Sequence, residues 1–310
     1  MNIHRKTVAT AVMVSLGLIP MAYSQTKEKT KEKTTQSTTT TTQVSSDFSA
    51  PRHVHISSDL LGKPVMSDGK RIGELEDFVV DVNSGRVIYG VSSFDTIQGA
   101  SGKLYPVPYT SVRYSGDAQT YITKMTPDRI VTATSFPENQ WPDFSDQYIT
   151  TTYRHYNETP WWDGTKTVTT TKTGDDDDDD SKARLVSYKE RWTSRPTTVR
   201  RVSEIRGREI VAADGSKVGL ISDVVMDPES GRILYAIEGS GASRHAIPWV
   251  ALSPSTGNTY QVKITADRIK RAPVFEETRI TDRGWAEEVH RYYSVEPYWS
   301  VSTTTRETRP

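Results

Sequence analysis

The chain has 310 residues, 35% of them hydrophobic and 25% charged, which is too few apolar side chains for one large globule but enough for two small cores joined by polar segments. Its 39 basic and 39 acidic residues cancel, which argues against a nucleic-acid binder held by long-range attraction. With no cysteine at all, the sequence excludes disulfide frameworks, cysteine nucleophiles, thiolate metal sites and a lipid-modified cysteine at an export site.

At the N-terminus Arg5 and Lys6 precede an apolar stretch over positions 8–19, followed by Pro20 and the small residues Ala22 and Ser24 at the −3 and −1 positions of a cleavage site. This pattern predicts a secretory signal peptide over residues 1–24. The apolar run falls short of the roughly 20 residues that a membrane span needs. The expected location is therefore periplasmic or extracellular, with no transmembrane segment once the signal is removed. Residues 25–52 are mostly Lys, Glu, Thr, Ser and Gln, with little to bury against the entropy of ordering them, and read as a disordered tether.

The next hundred or so residues recur. Gly62 matches Gly207, Asp68 and Gly69 match Asp214 and Gly215, Gly73 matches Gly219, and Asp81, Gly85, Arg86 and Tyr89 match Asp227, Gly231, Arg232 and Tyr235. From Asp68 to Tyr89 the offset is a constant 146. After a loop at positions 94–102 that is six residues shorter in the second copy, Pro108 and Tyr109 match Pro248 and Trp249, and Thr126 to Ile130 match Thr265 to Ile269. The predicted units are residues 53–162 and 199–300, each a barrel with an aromatic C-terminal extension, and residues 301–310 form a tail. Between them, residues 163–198 are Thr-rich, carry six consecutive aspartates at 175–180, and read as a second unstructured linker. That run lacks the alternating ligands, central Gly and terminal Glu of a calcium loop.

Within each unit the pattern is of short strands. Asp68-Gly69 and Asp214-Gly215 are hairpin signals, since Gly supplies the positive φ that a tight turn demands. Asp81 and Asp227 open a second reversal, in which their carboxylates can accept backbone N–H groups. Around Tyr89 and Tyr235 both strand faces are apolar, which predicts a strand covered on both sides. Thr126-Pro127 reads as a helix N-cap with Pro at the first helical position. Trp285, Val289 and Tyr292 fall at helical spacing after Asp282, predicting a short helix; the matching stretch from Trp141 to Tyr156 is a poorer helix because of its threonines at 150–152.

The Gly-x-x-Val/Ile opening, the Asp-Gly turn, the shared Asp-x-x-Ser-Gly-Arg-x-x-Tyr and the proline closing the later strands together resemble the PRC-barrel family. The resemblance is to the fold of the cytoplasmic domain of the photosynthetic reaction-centre H subunit and of the C-terminal domain of a ribosome maturation factor. It implies a mainly β protein of two small six-stranded barrels, acting in protein–protein contact without a shared catalytic site, so no functional residue is carried over. The export signal, the duplication and the Thr-rich linkers set this chain apart from a ribosome factor.

Chemistry-bearing residues are few. His53 and His55 would share one side of a strand at a spacing a metal could use, but no third ligand accompanies them, and no metal, cofactor or catalytic residue is assigned. Glu74, Glu76, Asp77 and Asp81 crowd one segment as a glycosidase pair would, yet only Asp77 and Asp81 recur, as Asp223 and Asp227, and turn chemistry explains them. Trp141, Trp161, Trp162, Trp285, Tyr298 and Trp299 form the candidate interaction surface, against the alternative that they staple each terminal helix to its own barrel. Nine basic residues over positions 182–208, from Lys182 to Arg208, suggest contact with an anionic surface or with the aspartate run. The leading expectation is an exported, non-catalytic interaction or scaffolding protein with an unidentified protein partner. The alternatives are an accessory subunit of a membrane electron-transfer complex and a wall-polysaccharide hydrolase using Glu74 or Glu76.

Overall fold

The computed structural model describes residues 40–41, 53–163, 165–172, 184–191, 195–241, 243–299 and 304–305. The predicted signal peptide, most of the tether, the aspartate run and most of the tail lie outside the described residues. Thr40–Thr41 pairs with Thr304–Thr305 in a unit separate from the body formed by residues 43–303.

The body is mainly β. In the first copy a short strand, Pro64–Ser67, turns into the long strand Lys70–Asp81. The turn residues Asp68 and Gly69 both take positive φ (49° and 75°), as the hairpin reading requires. The chain continues through Arg86–Ser93, Leu104–Pro108, Val112–Ser115 and Thr120–Thr123. Four antiparallel pairings and one 3-10 turn at Tyr109–Ser111 leave the last strand beside the first, where Val65 and Met66 pair in parallel with Tyr121 and Ile122 and draw the sheet into a barrel. The second copy repeats this with Glu209–Val211, Lys217–Asp227, Arg232–Ser240, Ser243–Pro248, Leu252–Pro254 and Tyr260–Val262. Its closure is the parallel pair Ile210–Tyr260 and Val211–Gln261.

The two long strands even share their bulges. Register shifts fall between Leu75 and Asp77 and between Val79 and Val80 in one, and between Ile221 and Asp223 and between Val225 and Met226 in the other. A bulge adds a residue on one strand and re-aims the side chains that follow it. Asp81 and Asp227 act in the reversal as expected: Asp81 accepts from the Ser84 N–H and hydroxyl, Asp227 from the Glu229 and Ser230 N–H groups.

Each barrel is covered outside by its C-terminal helix. Asp146–Tyr156 is a full helix of 11 residues, contrary to the weaker expectation for this copy. Its threonines are tolerated because Thr152 is buried and its hydroxyl donates back to the Tyr148 carbonyl. Ser145 caps the start, and burial of Ile149 and Tyr153 against Tyr89, Val91 and Trp162 outweighs the low propensity. In the second copy Asp282 accepts from the Trp285 N–H at 2.6 Å and starts the helix Arg283–Tyr293. The buried face is Trp285, Ala286, Val289, His290 and Tyr293, with Tyr292 only partly covered. Strands Arg86–Ser93 and Arg232–Ser240 are thus packed on both faces, as their apolar runs foretold. Thr126 occupies the N-cap position but makes no side-chain cap bond, whereas Thr265 accepts from the Arg268 N–H.

The loop at positions 94–102 belongs to the first core. Phe94, Ile97 and Ala100 are buried, and the Thr96 hydroxyl donates to the Ile72 carbonyl. Within the predicted linker, Thr165–Lys172 and Arg184–Arg191 pair as antiparallel strands, and the aspartates between them lie outside the described residues.

His290 sits among the rings of Tyr235, Tyr298 and Trp299, with Nδ1 2.8 Å from the Ala286 carbonyl. Burial holds its imidazole below the ordinary range, against the opposing pull of that carbonyl. A depressed folded-state value means stability present above the unfolded value of about 6.5 and lost as pH falls through it. The thermal midpoint should therefore drop between pH 7.5 and pH 5, and His290→Gln should drop less over the same range.

Candidate functional site at the seam between the barrels

The long strand Lys70–Asp81 has 12 residues but its neighbour Pro64–Ser67 has four, so the far end of that edge has no partner within its own barrel, while the opposite edge pairs with Arg86–Ser93. An unpaired strand edge is a liability that a fold must cover. The cover comes from the other copy: Val199–Arg201 pairs with Val79, Val80 and Asp81, and in return His55–Ile56 pairs with Val225 and Met226. Each arm continues into one turn of helix, Ser57–Leu60 or Val202–Ile205, whose Leu60, Val202 and Ile205 are fully or almost fully buried.

Two aromatic side chains lock the exchange. The Trp249 indole N–H donates to the Val82 carbonyl at 2.9 Å and the Tyr109 hydroxyl to the Pro228 carbonyl at 2.6 Å, Val82 and Pro228 being equivalent positions. Each ring lies over the other copy's turn glycine. A Cβ on Gly85 would stand 2.6 Å from Trp249, and one on Gly231 would stand 2.6 Å from Tyr109. Both glycines also have positive φ (68° and 65°), so glycine is required twice over, for conformation and for room. Between them Arg86 pairs with Arg232, the Val87 N–H donates to the Gly231 carbonyl and the Ile233 N–H to the Gly85 carbonyl, which makes one continuous sheet of the two barrels.

The recurring acids Asp77 and Asp223 serve this seam, and turn chemistry does not account for them. Asp77 accepts from the Ser203 N–H and hydroxyl as well as from the Phe78 N–H. Asp223 accepts from the Ser57 hydroxyl and the Val224 N–H. The bulge ahead of each acid turns it toward the opposite arm. Burial pushes the Asp77 carboxyl above the usual range, partly offset by the Ser203 bonds.

The remaining sequence candidates are scattered. Trp285, Trp162 and Trp299 are buried (1%, 5% and 9% exposed) within the layers that join each extension to its own barrel. Tyr298 is half-buried against Tyr235 and His290. Trp141 and Trp161 are half-buried under guanidinium groups, Arg201 lying 4.4 Å from the Trp141 ring centre and Arg86 5.0 Å from that of Trp161. Arg201 belongs to the crossing arm, so Trp141 also borders the seam. Glu74 is held by Arg71, which also binds Asp95, and Glu76 accepts from the Ser93 hydroxyl. His53 lies 3.7 Å from Glu229, and His55 3.4 Å from the Tyr114 hydroxyl. Among the described residues, no three His, Cys, Asp or Glu side chains gather as a metal site would need. Of the basic stretch, Arg195 pairs with Asp146 and Arg201 with Glu204, while the side chains before Arg195 lie outside the described residues.

Because the seam ties both cores together, the full chain should unfold residues 53–299 in a single calorimetric transition. Gly85→Val should lower the stability of both barrels together by about 3 kcal/mol or more, through strain and displacement of Trp249. Two separated transitions in the unaltered chain would contradict a shared seam.

No described helix is long and apolar enough to cross a membrane. A search of curated proteins finds no match. The PRC-barrel domain family model matches twice, over residues 53–129 and 197–273, which takes in both six-stranded barrels and both crossing arms. PRC-barrel domains are a family of non-catalytic modules consistent with protein interaction. The chain therefore belongs to the PRC-barrel domain family, as a tandem of two such domains.

Proposed function

We propose that the protein is an exported, non-catalytic scaffold that offers its two barrels to a protein partner as one fixed platform. The observation that carries this reading is the reciprocal seam. Two modules of an interaction family are held in one orientation by exchanged arms, so a partner meets a preformed surface and little freedom is lost on binding. Two barrels on a flexible tether would instead gain affinity through effective concentration, and the seam removes that flexibility. Export is supported by Arg5, Lys6, the apolar run over positions 8–19 and the small residues Ala22 and Ser24. The hydrolase alternative draws no support from Glu74 and Glu76, which are engaged in exposed side-chain contacts.

Crosslinking of the tagged full chain in intact cells, followed by mass spectrometry, should recover one recurrent partner, and Gly85→Val should reduce its yield at equal protein level. Recovery of nothing beyond an unrelated exported control would overturn the scaffold. Cell fractionation tests the export half separately: the chain should leave the cytoplasm, and Arg5→Glu with Lys6→Glu should retain it there.

A further inference from the structure

Beside the seam, the arm Val199–Arg201 and the turn between Leu252–Pro254 and Tyr260–Val262 border a partly open cavity of about 50 Å³. Val82 of the first barrel forms part of its wall, Tyr260 is buried in it, and Thr198, Ser255 and Asn258 supply polar groups to its lining. Arg200, which is exposed, and Arg208, which is half-buried, are among its lining residues. Arg200 donates to the Asn258 side-chain carbonyl at 3.3 Å and to the Val199 carbonyl at 2.8 Å, and Arg208 donates through Nε to the Glu204 carbonyl at 2.8 Å. A guanidinium has five N–H donors, so these contacts orient both groups while engaging a minority of them. Both positive charges act on the Tyr260 phenol, which burial nevertheless pushes up to about 12. Glu204 is the one acid in the lining, and it is committed elsewhere, accepting from the Arg201 guanidinium at 2.7 Å and from the Arg201 N–H.

Comparison of the copies shows that this arrangement is not something the barrel needs. At offsets of 145 through the arms and 139 through the last strands, Arg200 corresponds to His55, Arg208 to Lys63, Asn258 to Gln119 and Ser255 to Gly116. In the first copy the His53 ring packs where a Cβ on Gly116 would lie, Lys63 donates to Gln119, and His55 turns to Tyr114. There the polar groups satisfy one another and His53 occupies the space. In the second copy two permanent charges face an open cavity.

We propose that the Arg200–Arg208 cavity binds a compact oxyanion, a carboxylate or phosphoryl group, as a site independent of the scaffold reading. Paired guanidinium donors match the planar or tetrahedral oxygens of such a group. A volume near that of one or two waters admits the head of a ligand and not the whole of a drug-sized one.

The test is an NMR titration of the isotope-labelled full chain with inorganic phosphate and, separately, with acetate, at constant ionic strength made up with chloride. Saturable shifts confined to positions 198–208 and 254–260, with none at His55, Lys63 or Gln119, are expected. Phosphate as the tighter ligand would mark a phosphoryl-bearing molecule, and acetate a carboxylate-bearing one. Arg200→Gln with Arg208→Gln should weaken binding by at least ~10-fold, the loss of two charge-assisted contacts. Glu204→Gln should strengthen it, since it removes the one negative charge in the lining. Shifts that never saturate, that spread over other basic side chains, or that survive the double substitution would overturn the site.

Discussion

The structure depends on one geometric mismatch, a long strand beside a short one. Lys70–Asp81 and Lys217–Asp227 each outrun the strand that should cover them, and hydrogen-bonding groups at the far end of each have to be paired. The chain answers by lending each barrel the arm of the other. The rest of the seam follows from that loan. The serines at the start of each arm helix need acceptors, which the re-aimed Asp77 and Asp223 provide, and the close approach of the two copies leaves only glycine tolerable at Gly85 and Gly231.

Two small barrels would each be marginal alone, since a domain of this size buries a modest share of its surface. Exchange joins their cores, so that one set of buried residues spans both copies from Val65 and Phe78 to Val224 and Tyr260. The buried carboxylates add little net stability by themselves, because removing a charge from water costs nearly what its hydrogen bonds return. Their stronger effect is on choice: any other docking of the arms would leave Asp77 or Asp223 buried without its serine.

Outside the seam the copies have diverged in what they carry. The first keeps a long loop folded into its core through Phe94, Ile97 and Ala100, and a pair of histidines on its arm. The second has the shorter loop and arginine on the equivalent arm position. Both keep a terminal helix whose aromatic side chains cover the outer face of their own barrel, so the most apolar residues of the extensions are largely spent on folding.

Within one copy, nearly everything was legible from the sequence. The Asp-Gly turn, the covered strand around Tyr89, the Asp81 and Asp227 reversals and the capped helix after Asp282 are local matters of turn chemistry and periodicity over a few residues. The helix Asp146–Tyr156 was undervalued because propensity counts its threonines but not the tyrosines they bring to the barrel. What only the tertiary structure decided was the pairing across copies. A repeat aligns Gly85 with Gly231 and Tyr109 with Trp249, but an alignment of equivalents cannot reveal that Gly85 meets Trp249, or that the recurring Asp77 and Asp223 answer serines 126 and 166 residues away. Contacts between two copies of one pattern leave the pattern of each copy unchanged, so the sequence by itself determined the barrels, and folding in three dimensions decided that they are one body.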